Sequence, residues 1–501
     1  MNTFLAGTAS LTAMSVGIQA SAVIAIVVYV LILTALAGVV LTLVTDDRDP
    51  STVIAWLLLI LLVPLFGVVL YFFIGRNYRR GSAHRDAERE RQSTLAANAL
   101  APTYSASEGF TRSATAALAT SPGARIEAIG RHEGLVPLLP ADSVEVFVAG
   151  AEKFPRLISD MASARSYIHL MYLIWEQDEL TARVTDVLLD RLEAGVEVHI
   201  IYDWLSCVTY RKDELKRLAA AGATVVPCYR RLPHINYRNH MKMAIIDGAI
   251  VYTGGMNMGQ EYIDGGRRFA TWRDTHLRMT GPIVAPFIAL YATTWIENGR
   301  SEDLASGYVH EPVVHRAGHG TPVQMLHSSV STRAKTIRDA FITALLASQQ
   351  RVWIQSPYFV PDEPLITAMC VAAASKIDVR FMMTGVPDKR IPWWVAQAYY
   401  APLLEAGVKV YQYTAGFLHA KTVTVDDDLC IIGTCNWDIR SIILHDEVVA
   451  VIYDDGIAST YARQYELDMA HCRRITDDDL ATWGRGVRLR NSVLRLFSRL
   501  L

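Results

Sequence analysis

No charged residue occurs between Met1 and Thr45, and none again between Ser51 and Gly75. Runs this poor in charge have no polar face to turn to water, which excludes ordinary amphipathic surface helices there. Cysteine is also scarce. Cys207, Cys228, Cys370, Cys430, Cys435 and Cys472 form no C-x-x-C pair and no zinc-ligand spacing. A disulfide framework and a structural zinc are therefore not expected, nor is any metal or other cofactor. The net charge is only −2, and the half beyond the apolar runs lacks a lysine and arginine stripe. Both observations disfavour a nucleic-acid partner. What the chain does have is length and hydrophobicity. Its 501 residues exceed one compact domain, and 51% of them are hydrophobic.

The apolar excess sits at the N-terminus. Ala22 to Val44 is long enough to cross a bilayer, which takes about 20 residues. A polar break, Asp46-Asp47-Arg48-Asp49-Pro50, separates it from a second run over 51–74. A cleaved signal peptide fits poorly, because no positive segment precedes the first run and its apolar core is too long. Residues 1–75 are thus expected to form a two-span hairpin in the cell membrane. Arg76, Arg79, Arg80, Arg85, Arg89 and Arg91 follow the second run, so the positive-inside rule puts the remaining chain, and the N-terminus with it, in the cytoplasm. Residues 76–125 read as a solvated linker with a secondary attraction to anionic headgroups.

The rest of the chain repeats itself. His240, Lys242, Asp247 and Asn257 lie at offsets 0, +2, +7 and +17, and His419, Lys421, Asp426 and Asn436 lie at the same offsets. Gly254 and Gly433 agree as well, each at +14. One H-x-K-x-x-x-x-D is a weak signal, but two copies with matching Asn and Gly are strong. Strand-like Tyr167–Tyr172 and Val352–Tyr358 each lead into a helical segment, then a second strand, then a helix ending at Ala-Gly. Strands alternating with helices indicate α/β lobes, the first over 126–310 and the second over 311–501. Packed face to face, the lobes would bring both motifs to one site.

The residue types define a chemistry. His and Lys two apart on an extended segment share a face, whereas the Asp lies at the opposite parity and has another job. Two imidazoles, two ammonium groups and two amides suit a phosphodiester. Lysine and asparagine hold the non-bridging oxygens while one neutral imidazole attacks phosphorus and the other, protonated, serves the leaving alkoxide. A carboxylate on the far ring nitrogen usually fixes the tautomer. Asp274, 17 residues after Asn257, and Glu447, 11 after Asn436, are candidates at unequal spacings. His169, His199, His234 and His310 stay unassigned.

At these residues the chain resembles the phospholipase D superfamily, whose signature is the doubled H-x-K-x-x-x-x-D, and more narrowly the bacterial cardiolipin synthases. The likeness extends to Arg48-Asp49-Pro50 with Ala55-Trp56-Leu57-Leu58, to Trp272-Arg273-Asp274-Thr275-His276, and to Gly416-Phe417-Leu418-His419 and Asn436-Trp437-Asp438. It implies two phospholipase D-like lobes, mixed sheets flanked by helices, around one shared site. It also implies His240 as nucleophile, His419 as general acid and base, and Lys242, Lys421, Asn257 and Asn436 on the phosphoryl oxygens. Asp274 and Glu447 would orient the imidazoles, with Asp247 and Asp426 counted among the catalytic motif residues although serving mainly structure. Met241 stands where the family often has Arg, and His445 where it often has Asn. The implied reaction joins two phosphatidylglycerol molecules into cardiolipin and glycerol through a phosphohistidine, in contact with anionic membrane lipid. Hydrolysis by the same pocket is the alternative, while a nuclease or an inactive scaffold fits less well. The basic, amphipathic C-terminus, from Val487 on, suits either a membrane-surface helix or a core-packing one.

Overall fold

The computed structural model describes residues 36–45, 50–75, 83–133, 136–209, 211–230, 236–298, 320–330 and 334–496, with isolated positions between 23 and 34 and Thr332. It comprises an N-terminal unit, Met1–Tyr78, and a body, Arg79–Leu501.

In the N-terminal unit the first expected span is described over 36–44 and at isolated positions from Val23 to Thr34, all of them helical. Over the second, helix Pro50–Leu62 stops at Val63, and Pro64–Leu70 and a π turn at Tyr71–Gly75 follow. Proline disfavours helical backbone in the residue before it, and Val63 sits at φ −137°, ψ 72°. Beyond the break the chain turns back. A Cβ on Gly67 would lie 2.8 Å from the Ile60 Cα, and the Trp56 and Tyr71 rings meet edge-on at 5.6 Å. The apolar run expected as the second span, 51–74, is therefore divided among these helical pieces. Thirteen residues rise only about 20 Å, against roughly 30 Å of hydrocarbon. Among the described residues no helix is long and apolar enough to cross a membrane. The apolar side chains are nonetheless turned outward, with Ile54, Leu58, Leu61, Leu62, Phe66 and Val69 all exposed.

The body carries two sheets of one topology. The first lobe uses β1 (Ser143–Phe147), β2 (Tyr167–Tyr172), β3 (Glu197–Asp203), β4 (Thr224–Cys228), β5 (Met243–Ile246), β6 (Ile250–Gly254) and β7 (His276–Thr280), in the order β1-β7-β6-β5-β2-β3-β4. The second uses β8 (Thr321–Ser328), β9 (Arg351–Gln355), β10 (Asp378–Thr384), β11 (Lys409–Tyr413), β12 (Thr422–Val425), β13 (Leu429–Gly433) and β14 (His445–Ile452), in the order β8-β14-β13-β12-β9-β10-β11. Each strand of the first sheet thus has its counterpart in the second, which adds Leu139–Ala141 beside β8 and Cys472–Ile475 beside β11. In both lobes the central strand is parallel to one neighbour and antiparallel to the other. Burial on both faces explains why β2 and β9 read as nearly continuous apolar runs. Separate cores fill the lobes, around Phe154, Leu170 and Ile200 in the first and around Phe341, Phe381 and Trp437 in the second.

The lobe borders differ from the expected ones. Residues 83–117, expected in a solvated linker, form one helix. Leu100 on it packs against Ala285 and Ala289, and Ala114 joins the second lobe's core. Ile126 and Leu138, expected in the first lobe, are in that second core too, and Leu139–Ala141 pairs with β8. The expected junction at 310/311 lies outside the described residues. At the C-terminus, helix Arg485–Leu496 buries Asn491, whose amide donates to the Gln397 carbonyl at 3.3 Å, while Leu489 is 66% exposed. It packs by one face and leaves an apolar and basic face outward.

The aspartates of the two motifs explain themselves here. Asp247 and Asp426 sit at φ +50° and +48°, in tight turns. The Asp247 carboxylate accepts from the backbone N–H groups of Arg165, Ser166 and Tyr167, and that of Asp426 from Gln349, Gln350 and Arg351. Each fixes the start of the central strand of its lobe. Asp426→Ala strands three donors at once and should cost roughly 3 kcal/mol. Thermal unfolding of the detergent-solubilised chain measures this, and a wild-type melting curve would remove the structural role.

Candidate active site

Two short parallel pairings bring the lobes together. Arg238–Asn239 pairs with His445–Asp446, and Phe417–Leu418 pairs with Trp272–Arg273. The next residue along each motif is its histidine, and the next along each partner strand is a carboxylate. The His240 N–H donates to the Asp446 carbonyl at 3.0 Å, and the His419 N–H to that of Arg273 at 2.7 Å. In consequence the carboxylates are exchanged. His240 Nδ1 lies 2.9 and 3.0 Å from the Glu447 oxygens, and His419 Nδ1 lies 2.7 Å from Asp274 Oδ2. Each lobe's imidazole is oriented by the other lobe.

The repeated glycines admit these carboxylates. A Cβ on Gly254 would lie 2.6 Å from the His276 Cα, and one on Gly433 2.4 Å from the Val448 carbonyl oxygen. Those contact points lie just past Asp274 and Glu447, so only glycine lets the carboxylate-bearing strands close in. Further bonds hold the acids: the Thr275 N–H donates to Asp274 at 2.7 Å and the Thr434 hydroxyl donates to Glu447.

Lys242 and Lys421 reach inward, each donating its ammonium to the carbonyl of the histidine two residues earlier. Asn257 donates to the Tyr262 hydroxyl at 2.7 Å, and Asn436 to the Ser441 hydroxyl at 3.2 Å. All eight of His240, Lys242, Asn257, Asp274, His419, Lys421, Asn436 and Glu447 are buried and converge. Asp247 and Asp426 do not join them.

The charges on this set are far from ordinary. Burial first, then Lys242, Lys421 and His419, push the His240 imidazolium well below 6.5. Burial and Lys421 lower His419 to about 4, against the pull of Asp274. Burial lowers Lys242 to about 7 and Lys421 to about 8, despite their carboxylate neighbours. For Asp274, burial alone would raise the carboxyl, but His419 and Lys421 outweigh it and hold it low. Lys242 and Lys421 disfavour charge on each other and on the histidines, and a phosphate anion bound among them would offset that effect.

A cavity of about 360 Å³ opens at His240, with Asn436, Tyr358 and His445 in its wall. The His445 ring lies 5.4 Å from that of His240, while Trp272 lies 5.5 Å from His419. His240, His445 and Glu447 offer ligand atoms within 4.8 Å of one another. Lys242 and Lys421 oppose a cation there, and Glu447 is already engaged by His240. Sequence reasoning missed the Thr434 contact and the cavity cations Arg238 and Lys389, because neither falls inside the repeated spacing.

Comparison with known proteins follows the same outline. The family model for the cardiolipin synthase, phospholipase D-like domain matches residues 157–267 and 341–469, and the phospholipase D-nuclease N-terminal model matches 23–76. The major cardiolipin synthase of Bacillus subtilis is 33% identical over 469 residues, 92% of this chain and 96% of that protein. Cardiolipin synthases of Geobacillus kaustophilus and Listeria monocytogenes are each 32% identical, over 92% and 94% of this chain and 91% and 99% of theirs. The crystal structure of phosphatidylserine synthase from Haemophilus influenzae shares the fold, with a TM-score of 0.57 at 15% identity over 75% of this chain and 98% of that one.

The lysine values set a pH dependence. Both groups are cationic below their pKa and neutral above it. For an anionic phosphodiester, kcat/KM should therefore fall as pH rises through about 7 to about 8, adding to the loss as His419, lowered to about 4, gives up the proton it carries as general acid. On the acid side, His240 stays neutral well below 6.5, so no loss from that group is expected near neutrality. Initial rates at subsaturating substrate in mixed micelles test this, and a profile rising over the same interval contradicts it.

Proposed function

The chain belongs to the cardiolipin synthase family of phospholipase D-like proteins and is a phosphatidyltransferase; on that footing we propose that it joins two phosphatidylglycerol molecules through a phosphohistidine at His240. The observation that carries this reading is the exchanged pair of histidine–carboxylate contacts, which points both imidazoles into one pocket.

With Glu447 on Nδ1, His240 keeps Nε2 as the lone-pair nitrogen that attacks phosphorus. The P–O bond to the glycerol headgroup breaks as His419 passes its Nε2 proton to the departing oxygen. Asp274 supports the imidazolium form of His419, as a buried carboxylate does for a general acid. Lys242, Lys421, Asn257 and Asn436 neutralise and bond the phosphoryl oxygens. In the second half the terminal hydroxyl of another phosphatidylglycerol gives its proton to His419. Its oxygen attacks phosphorus, the P–N bond breaks, and His240 is regenerated. One glycerol leaves per cardiolipin formed.

The order of roles rests on proton affinity. Burial and the neighbouring lysines lower both imidazoles, and at His419 the Asp274 carboxylate opposes that shift, which supports His419 as the proton carrier. Incubating the purified chain with headgroup-labelled phosphatidylglycerol should release glycerol and yield cardiolipin. Phosphatidic acid as the main product would favour hydrolysis instead. In the same preparation His419→Ala, given a nitrophenyl phosphodiester analogue, should accumulate an adduct that maps to His240. An adduct on His419 in the converse variant alone would reverse the two roles.

Residues 23–76 match the family's N-terminal model, and the arginine cluster after Gly75 supports a cytoplasmic body at the cell membrane. A cysteine introduced at Ser82 should resist a membrane-impermeant maleimide in intact cells, with the unaltered chain as control. Efficient labelling would put the body outside.

A further inference from the structure

The cavity at His240 holds more positive charge than the transferred phosphate needs. Its wall carries Arg238, Lys389 and Arg440 against a single carboxylate, Asp438. That carboxylate is committed to capping, since it accepts from the Ser441 N–H at 2.8 Å. Lys242 and Lys421 are not part of this wall. They lie deeper, at 0% and 3% exposure, beside the histidines.

Two cation sets therefore occur at two depths. The inner pair stands beside the histidines, and the outer three line the cavity. The guanidiniums of the outer set are fixed: Arg440 donates to the Asn236 side-chain oxygen at 3.1 Å and Arg238 to the Tyr237 carbonyl at 2.6 Å. Arg238 also sits in the interlobe pairing, directly opposite His445. Burial disfavours charge on both guanidiniums, and Arg238 adds to that effect at Arg440 while Asp203 and Asp438 oppose it; a bound phosphate would oppose it further. Arginine forks match phosphate oxygens in geometry as well as sign.

We propose that Arg238, Arg440 and Lys389 form the subsite for the phosphate of the acceptor lipid. The proposal rests on the transferase reading above, because only an acceptor that is itself a phosphodiester needs a second anion site. Phosphatidylglycerol carries its attacking hydroxyl three carbons from its own phosphate. Holding that phosphate in the outer set brings the hydroxyl towards the phosphohistidine. Water and uncharged alcohols have nothing to place there, so the outer cations favour synthesis over hydrolysis.

The test is the partition of one intermediate. Cardiolipin and phosphatidic acid both arise from phosphorylated His240, so any effect on donor binding or on folding cancels in their ratio. Arg440→Gln, Arg238→Gln and the surface variant Lys389→Gln are assayed with phosphatidylglycerol, scoring both products, with Arg440→Lys as the conservative control. Loss of one charge-assisted phosphate contact should lower the cardiolipin to phosphatidic acid ratio by about tenfold, and Arg440→Lys should restore part of it. Wild-type ratios in all three glutamine variants overturn the subsite, even if total turnover falls. If the unaltered chain makes no cardiolipin, the transferase reading fails instead, so the two failures are distinct.

Discussion

The exchange of carboxylates between lobes is the constraint on which the site depends. His240 belongs to the first lobe and Glu447 to the second, while His419 and Asp274 are divided the other way. Neither lobe alone holds an oriented imidazole. A buried neutral histidine without a fixed partner populates two tautomers and several ring angles, and only one of these aims Nε2 at a phosphorus. The same strands that deliver the carboxylates also seal the lobes. Arg273, next to Asp274, forms a two-point ion pair with Asp468 of the second lobe at 2.9 and 2.8 Å, and the Thr275 and Tyr461 hydroxyls meet at 2.7 Å. Loosening the interface would therefore disorder the chemistry before it unfolded either sheet.

That arrangement also sets the electrostatics. Two lysines with little exposure are tolerable because two carboxylates stand behind the histidines, yet burial still drags both ammonium groups down to near neutrality. The two ammonium groups of the pocket are matched by the charge of a phosphodiester. Binding and catalysis then draw on one source. The anion that restores the lysines to full charge is the one whose oxygens they stabilise as phosphorus becomes five-coordinate.

Much of this was legible in the chain because the H-x-K spacing is local: two residues on one strand edge share a face wherever the strand goes. The parity argument also separated Asp247 and Asp426 from the pocket, and the structure ties both to backbone amides. The carboxylates were harder. Their spacings from the histidines differ between lobes because helix Glu261–Asp264 and helix Ile439–Ile443 fill unequal connections, and no spacing within a lobe can reveal a partner in the other. The N-terminal runs misled in a different way. Hydropathy sums see only apolar content, whereas Pro64 acts through backbone geometry and Gly67 through the absence of a side chain, and together they fold the second run back on itself. Helix 83–117 was hidden because its buried residues, such as Thr103, Ser107 and Ala114, are small or polar rather than strongly apolar.

A duplicated site begins symmetric, and a double displacement needs it not to be. The structure shows where the symmetry is broken. The residue two before each orienting carboxylate lies near the opposite histidine: Trp272 near His419, and His445 near His240. The residue two before each histidine differs likewise, Phe417 on one side and Arg238 on the other. His419 is consequently packed among aromatic rings, with Phe417 stacked at 5.7 Å and Tyr262 at 6.1 Å. His240 instead faces an imidazole and the field of Lys389. A proton on either ring meets both lysines and its own carboxylate; what differs is His445 and Lys389 at His240 and the aromatic rings at His419. Four residues, Trp272, His445, Phe417 and Arg238, thus break the two-fold symmetry around the histidines.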